Sequence, residues 1–318
     1  MGKAIEFISK TPVPVCGLAL ALASLDIFLY QQYDFYTFRI FALISAILVI
    51  LFTLKAVLSF SALRTEIGSP VPFGVLPTYS MALMLLSTIA YRYIGQAAVV
   101  IWAVAIILSF AMIVFFVKNF VLKFDIRNVF PSWFVMFIGF VVASVASPTF
   151  GMETIGKILL FVGLAMYFVV TPLILYRIIM VKGIPESAVP NAAIFAAPMN
   201  LCIVGYFATF GIAGVSGAAI AVMAAIGIAS YVAVLLSMPS MLRIKFYPSY
   251  AAFTFPLVIS MVSIQKLGAF YGILHDSVFS AVQTITVIIA VLIVVYVLIR
   301  FLMMFYGIAK GLNKSAPA

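Results

Sequence analysis

The chain has 318 residues, of which 66% are apolar and 8% charged, and its mean hydropathy is +1.31. Soluble domains carry about 25% charged residues, and no single soluble core of this length could hide so much apolar surface. The composition excludes a soluble enzyme or binding domain and specifies an all-α polytopic membrane protein whose surroundings are the lipid bilayer.

The net charge of +10 does not indicate a nucleic-acid partner. With odd-numbered apolar runs entering from the N-terminal side, all but four of the 18 lysines and arginines fall on that side; Arg39, Arg92, Lys157 and Lys266 are the exceptions. Cytoplasmic loops are enriched in basic residues, so both termini are expected in the cytoplasm, with an even number of spans in the cell (plasma) membrane. Lys3, Lys10 and the apolar run that follows resemble a signal peptide. Pro12 and Pro14 would break its hydrophobic region, so the run is expected to remain as a span.

Ten apolar runs follow in chain order, at roughly 12–31, 38–60, 72–91, 96–120, 131–147, 154–180, 190–210, 214–240, 247–267 and 278–304. Pro12, Pro70, Pro131, Pro190 and Pro248 open the odd-numbered runs at a nearly constant interval. Two runs per interval make a helical hairpin that crosses a bilayer twice. One membrane domain is therefore expected over 1–318. Its five repeats cover about 12–60, 70–120, 131–180, 190–240 and 248–304, and a short cytoplasmic tail covers 305–318. Repetition of this kind argues for a ring of hairpins around a pore.

The two members of each hairpin differ. Even runs are long and branched-aliphatic, which suits lipid contact. Odd runs are shorter and carry a second helix breaker about two turns in: Pro77, Gly139, Pro198 and Pro256, with Gly17 the nearest counterpart in the first repeat. Proline inside a helix leaves the carbonyl four residues back without its donor, here Phe73, Ile194 and Ala252. In hydrocarbon such a group costs several kcal/mol. Odd helices are therefore expected inside, lining the pore at these kinks, and even helices outside. Pro172 in the sixth run departs from this rule. The eighth run is rich in small residues, including Gly217, Ala224, Ala225 and Gly227, and is expected to approach a neighbouring helix or subunit closely.

Residues for chemistry are scarce. His275 is the single histidine, Cys16 and Cys202 lie inside separate runs as free buried thiols, and no carboxylate cluster, metal-ligand spacing or Gly-rich phosphate loop occurs. No catalytic residue, metal or cofactor is expected, and the chain is read as a non-enzyme. Asp26 is the deepest carboxylate. It is either a helix-end residue paired with Arg39, Arg92 or Lys266, or a proton- or cation-coupling site. Lys55, Lys157 and Arg300 lie near enough to span ends to snorkel. The odd runs supply aromatics, small residues and hydroxyls (Tyr79, Ser80, Phe137, Phe140, Asn200, Phe253, Thr254, Phe255 and Ser260), the lining of an occluded, uncharged pore.

The segments Thr11-Pro12-Val13-Pro14, Ser69-Pro70-Val71-Pro72-Phe73, Pro131-Ser132-Trp133-Phe134, Tyr247-Pro248-Ser249-Tyr250 and Ala252-Phe253-Thr254-Phe255-Pro256 resemble the tellurite-resistance/dicarboxylate transporter family. Its bacterial TehA-like members are similar to plant slow-type anion channels. The likeness spans all ten runs. It departs in the first, which lacks an aromatic or proline in Cys16-Gly17-Leu18-Ala19-Leu20-Ala21, and in the fifth, which has Met136 where relatives often carry proline. The resemblance implies a homotrimer in which each protomer has its own pore lined by odd helices. It also implies a resting block by a ninth-helix phenylalanine, which matches Phe255, with Phe253 beside it. The expected function is passive passage of small anions. The alternative is a proton-coupled transporter of C4-dicarboxylates or of sulfite or tellurite oxyanions, with Asp26 as the coupling group.

Overall fold

A computed structural model describes residues 2–33 and 39–314. All regular elements among them are helical, and ten are long and apolar enough to cross a membrane. These spans are Val15–Tyr33, Ile40–Leu58, Pro70–Ile94, Gln96–Val121, Ser132–Phe150, Glu153–Val181, Glu186–Phe210, Gly217–Met241, Pro248–Phe270 and Ser277–Leu312. Each expected run is matched by one of them. The tenth helix continues to Lys314, well into the expected tail; residues 315–318 of that tail and the first residue of the run begun at 38 lie outside the described residues.

Burial separates the spans into two classes. Between 67% and 78% of each odd span is buried, against 28% to 33% of each even span. The even spans turn residues such as Ile47, Val104, Phe161, Leu236 and Leu292 outward, where lipid tails solvate them. Each odd span packs on the next odd span in chain order, and the ninth returns to the first. Even spans fill the outer notches: the second also touches the third, the sixth the seventh, the eighth the ninth, and the tenth the first.

The odd spans are built differently from the expectation. Most are broken helices whose breakers sit at the junctions, not kinked continuous ones. Pro70–Val75 is a short helix, and Pro77 is the N-cap of the long helix Thr78–Ile94 that follows. A 3-10 stretch, Glu186–Ala196, precedes the helix Pro198–Phe210, and another, Pro248–Phe253, precedes Thr254–Phe270. In the fifth span Gly139 opens a 3-10 turn between Ser132–Ile138 and Val142–Ala146. Pro198 is thus a first residue and Pro256 a third, positions whose N–H groups have no partner inside a helix.

Two of the three expected orphan carbonyls, those of Phe73 and Ile194, are satisfied by the turn that follows. Phe73 accepts from the Leu76 N–H at 3.1 Å and Ile194 from the Ala197 N–H at 2.9 Å, bonds of 3-10 spacing that end the leading segment. Gly17 is the third residue of the unbroken first helix, the same place that Pro256 takes in its own helix.

Lys55 does not snorkel. It is 2% exposed, and its Nζ donates to the Thr11 carbonyl at 2.6 Å and to the Glu66 carboxylate. The other Glu66 oxygen accepts from the Val13 N–H at 2.7 Å, so one ion pair clamps the first proline turn to the short helix Phe60–Glu66 before the third span. Lys157 and Arg300 lie over the rings of Phe210 and Phe246, at 4.6 Å and 4.8 Å from their centroids. Pro172 stands inside the sixth helix on its exposed side. The small eighth span meets a neighbour within the same chain. A Cβ on Gly227 would lie 2.8 Å from Asn200 Oδ1, so only glycine admits the seventh span at this distance.

Candidate pore

The odd spans enclose three cavities in succession along their length. One, of about 510 Å³, gathers the proline segments at their N-terminal ends, including Pro12, Pro70, Phe130, Pro185 and Pro248. Another, of about 380 Å³, lies between their C-terminal ends and is bordered by Gln31, Thr88, Thr149, Ala208 and Lys266. A narrow central cavity of about 50 Å³ lies between them, and every odd span contributes to its wall.

The helix breaks shape this centre. Because the long helices Thr78–Ile94, Pro198–Phe210 and Thr254–Phe270 begin at mid-span, their first turns border the cavity through Thr78, Pro198 and Pro256. A helix N-terminus carries a partial positive charge of about +0.5, so these three ends contribute positive potential to the cavity, partly offset by the C-terminal ends of the lead-in segments at the same junctions. Carbonyls left free at kinks in continuous helices would contribute negative potential instead. Among the described residues, none that lines the central cavity is charged. Thr78 and Ser249 spend their hydroxyl protons on the carbonyls of Val75 (2.7 Å) and Ser187 (2.6 Å).

Of the residues singled out in the sequence, Gly17, Gly139, Pro198, Phe255 and Pro256 meet at the central cavity. Pro77 caps its helix without lining the cavity, and Phe253 is fully buried with its ring edge-on to Tyr250 at 5.2 Å. Phe255 is 6% exposed. Tyr79 instead pairs with Thr53 at 2.8 Å, Ser80 with Ser109 at 2.6 Å, and Phe140 packs on Phe110, all toward outer spans.

Asp26 borders none of these three cavities; with Tyr30, Arg39 and Phe41 it lines a separate one of about 420 Å³. Its Oδ2 accepts from Arg39 Nη1 at 2.8 Å and its Oδ1 from the Ala42 N–H at 3.2 Å, while Arg39 lies 3.8 Å from the Tyr30 ring centroid. This is the helix-end pairing with Arg39.

Two features escape a reading of the sequence. The central and C-terminal cavities share no lining residue. In every odd span the stretch between them is largely apolar and buried, as at Ala21, Met84, Val142, Ile203 and Val258, with Ser144 of the fifth span the one polar side chain there among the described residues. A layer so constructed excludes water and ions. The second is Asn191, which lines both the central cavity and the N-terminal vestibule. Its place directly after the marker Pro190 is the one local signal it carries.

Ten spans, with the buried five sharing one uncharged axial cavity, define a multi-pass membrane protein of the channel and transporter class. The family model for voltage-dependent anion channels, SLAC1, matches residues 12–302, and the chain belongs to that family. Members of the family are anion channels or transporters, not enzymes. No curated protein sequence matches the chain.

Proposed function

We propose that the protein is a TehA-like anion channel: a ring of five hairpins around a conduit that passes small anions passively and is closed at rest by the Phe255 ring. One observation carries this reading. All five odd spans line a single uncharged cavity into which three helices direct their N-terminal turns. Phe255 borders that cavity, and the buried Leu257 and Val258 of the apolar layer follow it in the ninth span, which supports a ring that caps the layer. Moving the ring costs a rotamer change against Pro256 and its packing, roughly 1–3 kcal/mol. The basic-residue asymmetry puts the proline vestibule and both termini on the cytoplasmic side of the plasma membrane. The family resemblance supplies the homotrimer, with one conduit per protomer.

The test is current through planar bilayers. Phe255→Ala should pass chloride and nitrate well above the wild-type level, and a conductance that stays at that level would overturn the gate. The coupled-carrier alternative has less support, because Asp26 is engaged with Arg39 and lines a separate cavity apart from the three along the odd spans.

A further inference from the structure

Four residues border both the N-terminal vestibule and the central cavity and so form the neck between them: Pro14, Val75, Asn191 and Ser249. Only the last two are polar. Ser249 has committed its hydroxyl proton to Ser187. Asn191 is 1% exposed, and its amide Nδ2 has no hydrogen-bond partner within the chain. Burying an amide donor unpaired costs free energy, and a partner from outside the chain is one way in which a folded protein recovers it.

The chemistry of that partner follows from the donor. An N–H group binds acceptors and offers nothing to a cation. The helix Pro198–Phe210 starts at the same cavity and adds partial positive potential. The one carboxylate in the vestibule wall, Glu66, already accepts from Lys55 and from the Val13 N–H, which tempers its repulsion of an anion. Asn191 is also held firmly, in a 3-10 segment just after Pro190, whose φ is fixed by its ring.

We propose that Asn191 is the donor that holds a small inorganic anion at the neck, a resting site on the proline side of the apolar seal. This rests on the reading of the cavities as an anion pathway. The site sets the concentration at which conduction saturates and discriminates against ions that cannot accept a hydrogen bond.

The proposal is tested with chloride as the probe. In the Phe255→Ala channel, adding Asn191→Leu should raise the half-saturating chloride concentration about tenfold, the equivalent of one hydrogen bond to a charged group. Asn191→Asp in the same background, close in shape but with an acceptor in place of the donor, should depress chloride current and move the reversal potential toward that of potassium. In detergent, replacing gluconate by chloride should raise the unfolding temperature of the wild-type protein and not that of Asn191→Leu. If Phe255→Ala conducts and both double variants keep its saturation and reversal potential, Asn191 holds no ion and only this proposal falls. If Phe255→Ala passes no more current than the wild type, the gate assignment falls, and chloride-dependent stabilisation still decides the site. Should Asn191→Leu fail to fold, the Asn191→Asp measurement decides between the two outcomes.

Discussion

Asn200 in the seventh span donates its side-chain amide to Ser260 Oγ in the ninth at 3.1 Å, just over one helical turn beyond Phe255. The same amide reaches the carbonyls of Ala196 (2.8 Å) and Gly227 (3.0 Å), and Ser260 Oγ lies 2.8 Å from the Pro256 carbonyl. Three spans are thus tied at the level where the ninth helix begins. A hydrogen bond between membrane helices is worth about 0.6 kcal/mol on average and up to about 2. Asn200→Ala, which strands several acceptors at once, should cost about 1–2 kcal/mol. Ser260→Ala should cost less, and the double variant less than the sum. Thermal unfolding in detergent checks this; full additivity would show that the two side chains act independently.

The Lys55–Glu66 pair predicts an asymmetry. The lysine side chain is 2% exposed and that of the glutamate 24%. Glu66→Gln leaves a buried ammonium with the Thr11 carbonyl but without its counter-charge, and should destabilise by about 3 kcal/mol or more. Lys55→Met leaves the charge on the residue that still reaches solvent and should cost clearly less. Combining the two should recover much of the loss. Denaturant or thermal unfolding of the three variants decides, and equal losses from both single substitutions would refute the burial argument.

Glycines that look alike in sequence differ in the space around them. A Cβ at Gly17 would sit 3.5 Å from Ala251 Cβ, an ordinary contact, so Gly17→Ala should fold with wild-type stability. At Gly163 it would lie 2.1 Å from Val141 Cγ2, beneath the fifth span, and Gly163→Ala should cost about 1–3 kcal/mol through overpacking. Relative unfolding temperatures test the pair, and an unchanged value for Gly163→Ala would show that the sixth span can shift outward.

Architecture is more legible in this chain than site chemistry, for a physical reason. Span number and the inner and outer classes follow from hydropathy and from where prolines are tolerated, both properties of local composition. Pro77, Pro198 and Pro256 look like kinks as long as each odd run is one continuous helix. A proline at a helix start and a proline at a kink have the same sequence signature, and only the 3-10 lead-ins at Glu186–Ala196 and Pro248–Phe253 tell them apart. The same ambiguity decides which backbone groups stand at the cavity, freed carbonyls or helix N-termini. Phe253 and Phe255 lie two residues apart, and sequence does not say which of them packs on Tyr250 and which borders the central cavity. Lys55 looks like a span-end lysine because its partner Glu66 belongs to the next hairpin's approach, a tertiary contact with no local signal.

Asp26 provides the sharpest separation of channel from coupled carrier. A coupling carboxylate must exchange its proton as substrate moves and must therefore face the pathway. Asp26 instead accepts from Arg39 and from the Ala42 backbone at the far end of the first hairpin, with its side chain 3% exposed. Asp26→Asn keeps the shape but removes the charge opposite Arg39, whose side chain is 27% exposed and so remains partly hydrated. The substitution should lower stability by about 1–2 kcal/mol. In the Phe255→Ala background it should leave anion current, and its response to a pH gradient, unchanged. Proteoliposomes make the opposite outcome visible. If labelled malate accumulates in response to a pH gradient in the wild type and Asp26→Asn abolishes that accumulation, the carboxylate couples transport and the passive reading fails. A flux that ignores the gradient in both proteins leaves Asp26 as the fastener of the first hairpin, with ions passing along the five-span axis elsewhere.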